Sequence, residues 1–292
     1  MIAPSWRRPG PSVPGRRLVI ACLLMAALAP PIAVAHGDLQ EQIVAISQRI
    51  AADPSNATLV LRRAELYREH GQWPRADVDY HRAGRLAPDN PAVSLGQGKL
   101  YLAMGKPDAA RAALDRVLEA QPTHVDGLAT RAQVLHTQGE YAAAAADYAR
   151  AIENASTPEP DFYLGRASSL AAARPARNDE ALASLDEGIS RLGKLPTLSL
   201  AAIELQVGRG KFDDALQRLD RLRQSQPRQE AWLARRGDIL MAAHRPDEAM
   251  QAWRDSTAAL EALPSRLRGT GAMIELRKRL MQRLQTASPR PQ

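Results

Sequence analysis

The chain has 292 residues, 45% of them apolar, 4% aromatic and 24% charged, which is ample for a core and unlike a disordered chain. Its formal charge of +7 sits at the ends: residues 1–35 hold four arginines and no acid, residues 266–292 seven bases and one acid, and the body between is about −3. That distribution excludes a broad basic surface for a phosphate backbone, and the wealth of alanine and leucine over aromatic and β-branched runs predicts helices throughout.

The first predicted element is an address. Arg16 and Arg17 precede an apolar run from Leu18 to Ala35 that closes on Ala33-Val34-Ala35, the basic, greasy and small-x-small parts of a secretory signal. Cleavage is expected after Ala35, with residues 1–35 removed and the mature chain sent to the periplasm. The run is 18 residues long and carries Pro30-Pro31 near its end, which favours cleavage over retention as a membrane anchor. Cys22, the only cysteine, lies inside it, so the mature chain would hold no thiol and no disulfide.

Residues 36–54 are predicted to form an amino-terminal capping helix. Leu39, Ile43, Ile46 and Ile50 follow helical spacing, and Asp38 with Glu41 three residues on has the form of a capping box.

From Ser55 the sequence repeats itself. Alanines stand at Ala76, Ala110, Ala144, Ala181, Ala215 and Ala249, spaced by 34, 34, 37, 34 and 34 residues. Twelve to fourteen residues before each lies Ala64, Gly98, Ala132, Ala167, Ile203 or Gly237, small in five of six cases. Four residues after each alanine comes a large side chain: Tyr80, Leu114, Tyr148, Leu185, Leu219 and Trp253. Glycines at Gly71, Gly105, Gly139 and Gly210 fall between the two small positions, where a left-handed residue would end one helix before the next begins. Asp108, Asp179, Asp213 and Asp247 precede their alanines by two residues, in the first turn of a helix whose dipole favours a carboxylate, and Pro107 and Pro246 suit the same helix start. Small residues such as Gly98, set against Ala110, are expected to let two antiparallel helices approach closely while Leu114 and Tyr101 fill the space beside them.

This pattern resembles the tetratricopeptide repeat, a helix–turn–helix unit of 34 residues. The early tryptophan of that family is replaced here by Val60, Ser94, Leu128, Tyr163, Ser199 and Leu233, and the fourth unit carries extra residues around Arg174-Pro175-Ala176-Arg177. The resemblance implies an all-α protein: a right-handed α-solenoid of about six units, approximately 55–88, 89–122, 123–156, 157–194, 195–227 and 228–263, within a domain spanning 55–265. Residues 266–292 are predicted to form a carboxy-terminal basic amphipathic capping helix and tail. Met273, Leu276, Leu280 and Leu284 make its apolar stripe, Arg277, Lys278, Arg279 and Arg283 are expected to lie away from it, and Thr286 to Gln292 read as disordered. The same arginines would attract an anionic membrane surface.

No phosphate loop, nucleophile elbow or metalloprotease signature is present in the sequence. None of the six histidines shares a helical face with another at i and i+4, so spacing supports no metal site and no cofactor is expected. His36 would become the first mature residue, where imidazole and the α-amine could together hold copper. By resemblance to the family, the first helix of each unit lines a concave wall that faces a protein or peptide partner. The matching positions are Arg62, Glu65 and Arg68, then Lys99, then Gln133 and His136, then Glu204 and Asp238. The expectation is a non-enzymatic scaffold or adaptor of the bacterial periplasm, possessing no catalytic residues, binding no nucleic acid, and acting in assembly of an envelope complex. The alternative is an accessory protein for a copper enzyme or copper transport through His36.

Overall fold

The computed structural model describes residues 32–193 and 195–287. The predicted signal therefore lies outside the described residues except for its last four, and so do residues 288–292 of the predicted tail.

Among the described residues six helix pairs follow one another. They are α2 (Ala57–Glu69) with α3 (Trp73–Leu86), α4 (Pro91–Ala103) with α5 (Pro107–Ala120), and α6 (Val125–Thr137) with α7 (Tyr141–Asn154). Then come α8 (Pro160–Ala172) with α9 (Asn178–Leu192), α10 (Pro196–Gly208) with α11 (Phe212–Gln224), and α12 (Glu230–Ala242) with α13 (Pro246–Glu261). A long helix α1 (Ile32–Ala52) precedes them and packs on α2; a short α14 (Ser265–Arg268) leads to α15 (Gly271–Ala287), which packs on α13. No strand occurs among the described residues.

Side-chain caps mark the start of the first helix in the first three pairs. Asn56 Oδ1 accepts from Leu59 N at 3.1 Å, Asn90 Oδ1 from Ala92 N at 3.0 Å and His124 Nδ1 from Gly127 N at 3.1 Å, three caps spaced by one repeat. At the far end the chain reverses through a left-handed residue. Gly105 sits at φ 67°, and the next amide, Lys106 N, reaches back to Tyr101 O at 2.8 Å, closing orphan carbonyls of the helix. The sixth pair makes the same turn with His244 at φ 58° where the first, second, third and fifth pairs have glycine. The fourth pair does not: its longer connection returns Arg177 N to Leu170 O at 3.0 Å, absorbing two of the three extra residues of the 37-residue spacing, the third lying between α7 and α8.

The six repeat alanines are wholly buried, as are or nearly are the large residues four positions on. The helix pairs nest through these positions. Leu114 covers Gly98: a Cβ on Gly98 would stand 2.6 Å from Leu114 Cγ. Trp253 covers Gly237 in the same way, and Tyr80 and Tyr148 cover Gly96 and Gly165 of the following pair. Glycine thus makes room for the bulk that locks one helix to the next.

The first helices also touch one another in succession, α2 with α4, α4 with α6, α6 with α8 and α8 with α10. Successive second helices make no comparable contact. The first helices therefore lie on the inside of the curve, and their outward residues form its wall.

The ends are capped, by arrangements that differ in detail from the expected ones. Ile43 and Ile50 of α1 are buried, but that helix is already formed from Ile32, so Asp38 stands inside it and not at its start. After Pro31 no proline interrupts the run, and its apolar residues continue the helix. Met273, Leu276 and Leu280 of α15 are buried against the last pair. Arg277 and Arg283 do not turn away from the solenoid: Arg277 pairs with Glu261 at 2.8 Å and Arg283 with Asp238 at 2.8 Å. The helix runs to Ala287, so Thr286 and Ala287 belong to it and not to a disordered tail; Thr286 Oγ1 bonds to Gln282 O at 3.0 Å.

Candidate partner-binding groove

On the inner wall a cavity of about 420 Å³ opens across the first four pairs. Arg68 enters it from the end of α2. Lys99, Leu102 and Ala103 come from α4, and Asp126, Ala129, Thr130 and Gln133 from α6. Glu159 and Phe162 close it at the start of α8. Leu102, Ala129 and Phe162 give an apolar floor, and charged or amide groups of both signs form the rim. The helical spacing of Lys99 to Leu102 and of Asp126 to Ala129 and Gln133 places these residues on one face of each first helix.

Three of the eight groove residues expected from sequence, Arg68, Lys99 and Gln133, meet in this cavity. Gln133 is exposed. Lys99 Nζ reaches Asp126 at 3.0 Å, bridging two successive first helices. Arg68 lies 3.6 Å from Glu69, with its Nε buried and without a hydrogen-bond partner, and it faces the Tyr80 hydroxyl, which is likewise buried without one. Burial pushes the Tyr80 phenol up to about 12, and the Arg68 cation beside it offsets part of that rise.

The other five sit elsewhere on the wall. Arg62 and Glu65 pair with each other along α2 at 3.7 Å. His136 Nδ1 donates to Ser169 Oγ at 2.9 Å, because Ser169 already gives its own proton to Gly165 O at 2.8 Å. The imidazole also meets the Tyr141 ring edge-on at 5.1 Å. Glu204 is bound by Arg235 of the next first helix. Asp238 accepts from Trp253 Nε1 at 3.1 Å and forms an ion pair with Arg283 at 2.8 Å; burial holds its carboxyl above the usual range, against the pull of the arginines around it. Groove positions are thus engaged between neighbouring repeats: Lys99 with Asp126, His136 with Ser169, Glu204 with Arg235.

Sequence reasoning missed Leu102, Ala129 and Phe162, the floor of the cavity. Leu102 is in register with Arg68 and His136, 34 residues from each, a signal that would have found it. Glu159 and Phe162 lie at the opening of the irregular fourth pair, where the 34-residue register slips.

A second set of ion pairs runs within and between repeats, away from the cavity. Arg63 bonds Asp79 through Nε at 2.6 Å and Nη2 at 2.8 Å, and Arg131 bonds Asp147 at 2.7 and 2.9 Å, each joining the first and second helix of a pair. The first-turn aspartates noted in the sequence do more than favour their helix dipoles. Asp179 is met by Arg209 at 2.6 Å and Asp213 by Arg245 at 2.9 Å, each arginine standing at the turn of the following pair. Among the described residues no group of three or more His, Cys, Asp or Glu is placed to hold a metal, and no helix is long and apolar enough to cross a membrane. His36 falls within the backbone of α1.

Stacked helix–turn–helix pairs with a continuous inner wall define an α-solenoid that presents a groove to other molecules. The tetratricopeptide repeat model matches residues 61–123, 95–160 and 200–264. The chain belongs to the tetratricopeptide repeat family, whose fold serves as a scaffold for protein–protein interaction. Solved structures agree on the fold. A tetratricopeptide repeat protein from Parabacteroides merdae is 19% identical over 85% of this chain and 94% of its own, with a TM-score of 0.55. The carboxy-terminal part of a repeat-containing protein from Cytophaga hutchinsonii is 14% identical over 83% and 95%, with a TM-score of 0.63. The pilF protein of Pseudomonas aeruginosa is 14% identical over 78% and 98%, with a TM-score of 0.53. No curated protein matches the chain.

Proposed function

We propose that the protein is a non-enzymatic periplasmic scaffold that holds an extended segment of a partner protein on its concave wall, in the assembly of an envelope complex. The observation that carries this reading is the cavity shared by α2, α4, α6 and α8, with Leu102, Ala129 and Phe162 beneath a rim of Arg68, Gln133, Asp126 and Glu159. An apolar floor takes side chains of the bound segment, while the rim supplies donors and acceptors to its backbone, a combination suited to a peptide. The periplasmic assignment rests on the basic, apolar and small-x-small succession ending at Ala35.

Both parts are open to test. A photo-crosslinking residue placed at Gln133 is expected to capture a partner in intact cells, while the same residue at Glu119, exposed on α5, is not. Equal capture at both positions would refute the groove as the binding surface. Amino-terminal sequencing of the protein recovered from the periplasm is expected to begin at His36, and recovery from the cytoplasm alone would refute the location.

A further inference from the structure

At the carboxyl end of its wall the chain fills its own groove. One residue after the small position of successive first helices stand Glu65, Lys99, Gln133, Ser168, Glu204 and Asp238; four residues after it stand Arg68, Leu102, His136, Ala171, Val207 and Met241. Arg68, Lys99, Leu102 and Gln133 line the main cavity. Asp238 and Met241 are therefore their sixth-pair counterparts, and they line a separate cavity of about 380 Å³ together with Trp253 and with Arg283, Thr286 and Ala287 from α15.

Three groups make the contact. Arg283 Nη2 lies 2.8 Å from Asp238 Oδ2, and its guanidinium carbon is 5.9 Å from the centre of the Trp253 ring. Trp253 Nε1 donates to the other carboxylate oxygen, Oδ1, at 3.1 Å. Carboxylate and indole are fixed by parts of the fold other than Arg283: Trp253 is buried and closes over Gly237, where a Cβ would come within 2.3 Å of Nε1. A carboxylate oxygen oriented by an indole N–H, beside an aromatic face and partly withdrawn from water, is a receptor for a planar cation. A guanidinium satisfies it by ion pair and ring contact together, which a compact ammonium matches less well.

Arg283 is not what fixes α15 to the solenoid. Met273, Leu276 and Leu280 are buried, and Glu261 receives both Arg268 at 3.2 Å and Arg277 at 2.8 Å. These contacts hold the first half of the cap, while Arg283 reaches the groove from the second half.

We propose that Asp238 and Trp253 form an arginine-recognition subsite at the sixth-pair end of the groove, which the chain's own Arg283 occupies and which an arginine side chain of a partner takes over. The proposal rests on the concave wall being the partner surface. Its consequence is a built-in competitor: a partner carrying arginine at this end must displace Arg283, and a partner without one leaves the cap latched.

The test uses the full mature chain and the indole N–H resonance of Trp253, assigned with Trp253→Phe, under titration with N-acetyl-arginine amide. Arg283→Ala is expected to show a saturable shift at a concentration at least tenfold lower than the wild type requires. The lysine and citrulline analogues are expected to bind at least tenfold more weakly than arginine, and adding Asp238→Asn to Arg283→Ala is expected to abolish the response. No saturable shift in Arg283→Ala, or an equal response to all three probes, overturns the subsite. Loss of α15 helicity in Arg283→Ala also overturns it, since Arg283 would then be a structural strut; Arg283→Lys, keeping the charge, separates strut from ligand by whether arginine amide displaces the lysine. The probe reports on the subsite whatever the cell supplies, so failed crosslinking at Gln133 alongside a positive titration would refute the groove reading alone.

Discussion

A methyl group added at Gly98 opposes two effects of known sign. In a helix interior, alanine in place of glycine gains about 1 kcal/mol of intrinsic propensity. Against this, the new Cβ would lie 2.6 Å from Leu114 Cγ and 2.7 Å from Cδ2, and Leu114 is wholly buried, with no solvent side to swing toward. Forcing a buried side chain off its rotamer and overfilling the site costs about 1–3 kcal/mol, so Gly98→Ala is expected to be destabilising by up to about 2 kcal/mol once the propensity gain is subtracted. Gly208, at the end of α10, has no atom within 4 Å of its would-be Cβ, and Gly208→Ala is expected to stabilise by up to about 1 kcal/mol. Urea and thermal unfolding followed by helical circular dichroism would separate the two variants, with roughly 2–4 °C for each kcal/mol in a chain of this size. Leu114→Ala alone should cost about 2–5 kcal/mol, but in its presence Gly98→Ala should become favourable, because the obstacle is gone. Equal stabilities for Gly98→Ala and Gly208→Ala, or no coupling between positions 98 and 114, would refute glycine as the device that seats the large residue.

His244 holds φ 58° where the other regular turns have glycine, and His244→Gly is expected to stabilise by about 0.5–1 kcal/mol, the relief of left-handed strain less the added freedom of the unfolded chain; a fall in melting temperature would contradict it. Asp79 is buried and doubly bonded to Arg63, so Asp79→Ala is expected to cost about 3 kcal/mol by leaving that cation unpaired. Replacing both residues with apolar ones should recover most of the loss, and a double variant as unstable as the single one would argue against the charge as the cause. Burial pushes the Tyr80 and Tyr148 phenols from 10.0 up to about 12. Below pH 10 folded and unfolded chains are equally protonated; between 10 and about 12 the unfolded chain releases protons that the folded chain retains, and stability falls by roughly 2–3 kcal/mol per phenol. Phenolate absorbance for these two tyrosines should rise only as helicity is lost, and full ionisation at pH 11 with helices intact would refute the assignment.

Much of the architecture was written in the spacing of small and large residues. Ala76 to Ala249, Tyr80 to Trp253 and the turn glycines recur because each repeat solves the same packing problem with its immediate neighbour, and a local problem leaves a local signature. Leu102 could have been placed in the groove by the same register. The fourth pair could not, since its longer connection breaks the period that carried the reading.

What the sequence determined by itself was the helix pairs, their turns and their inner and outer faces, since these follow from the period of an α-helix and from side-chain size at fixed intervals. Tertiary structure alone decided how closely Leu114 lies over Gly98, that Lys99 meets Asp126 across two helices, that α1 runs past Asp38, and that Arg283 folds back onto Asp238 and Trp253. Those choices depend on the rotation and offset between successive helices and on how the last helix lies across the wall, quantities set by the sum of many contacts. No single interval in the chain encodes them.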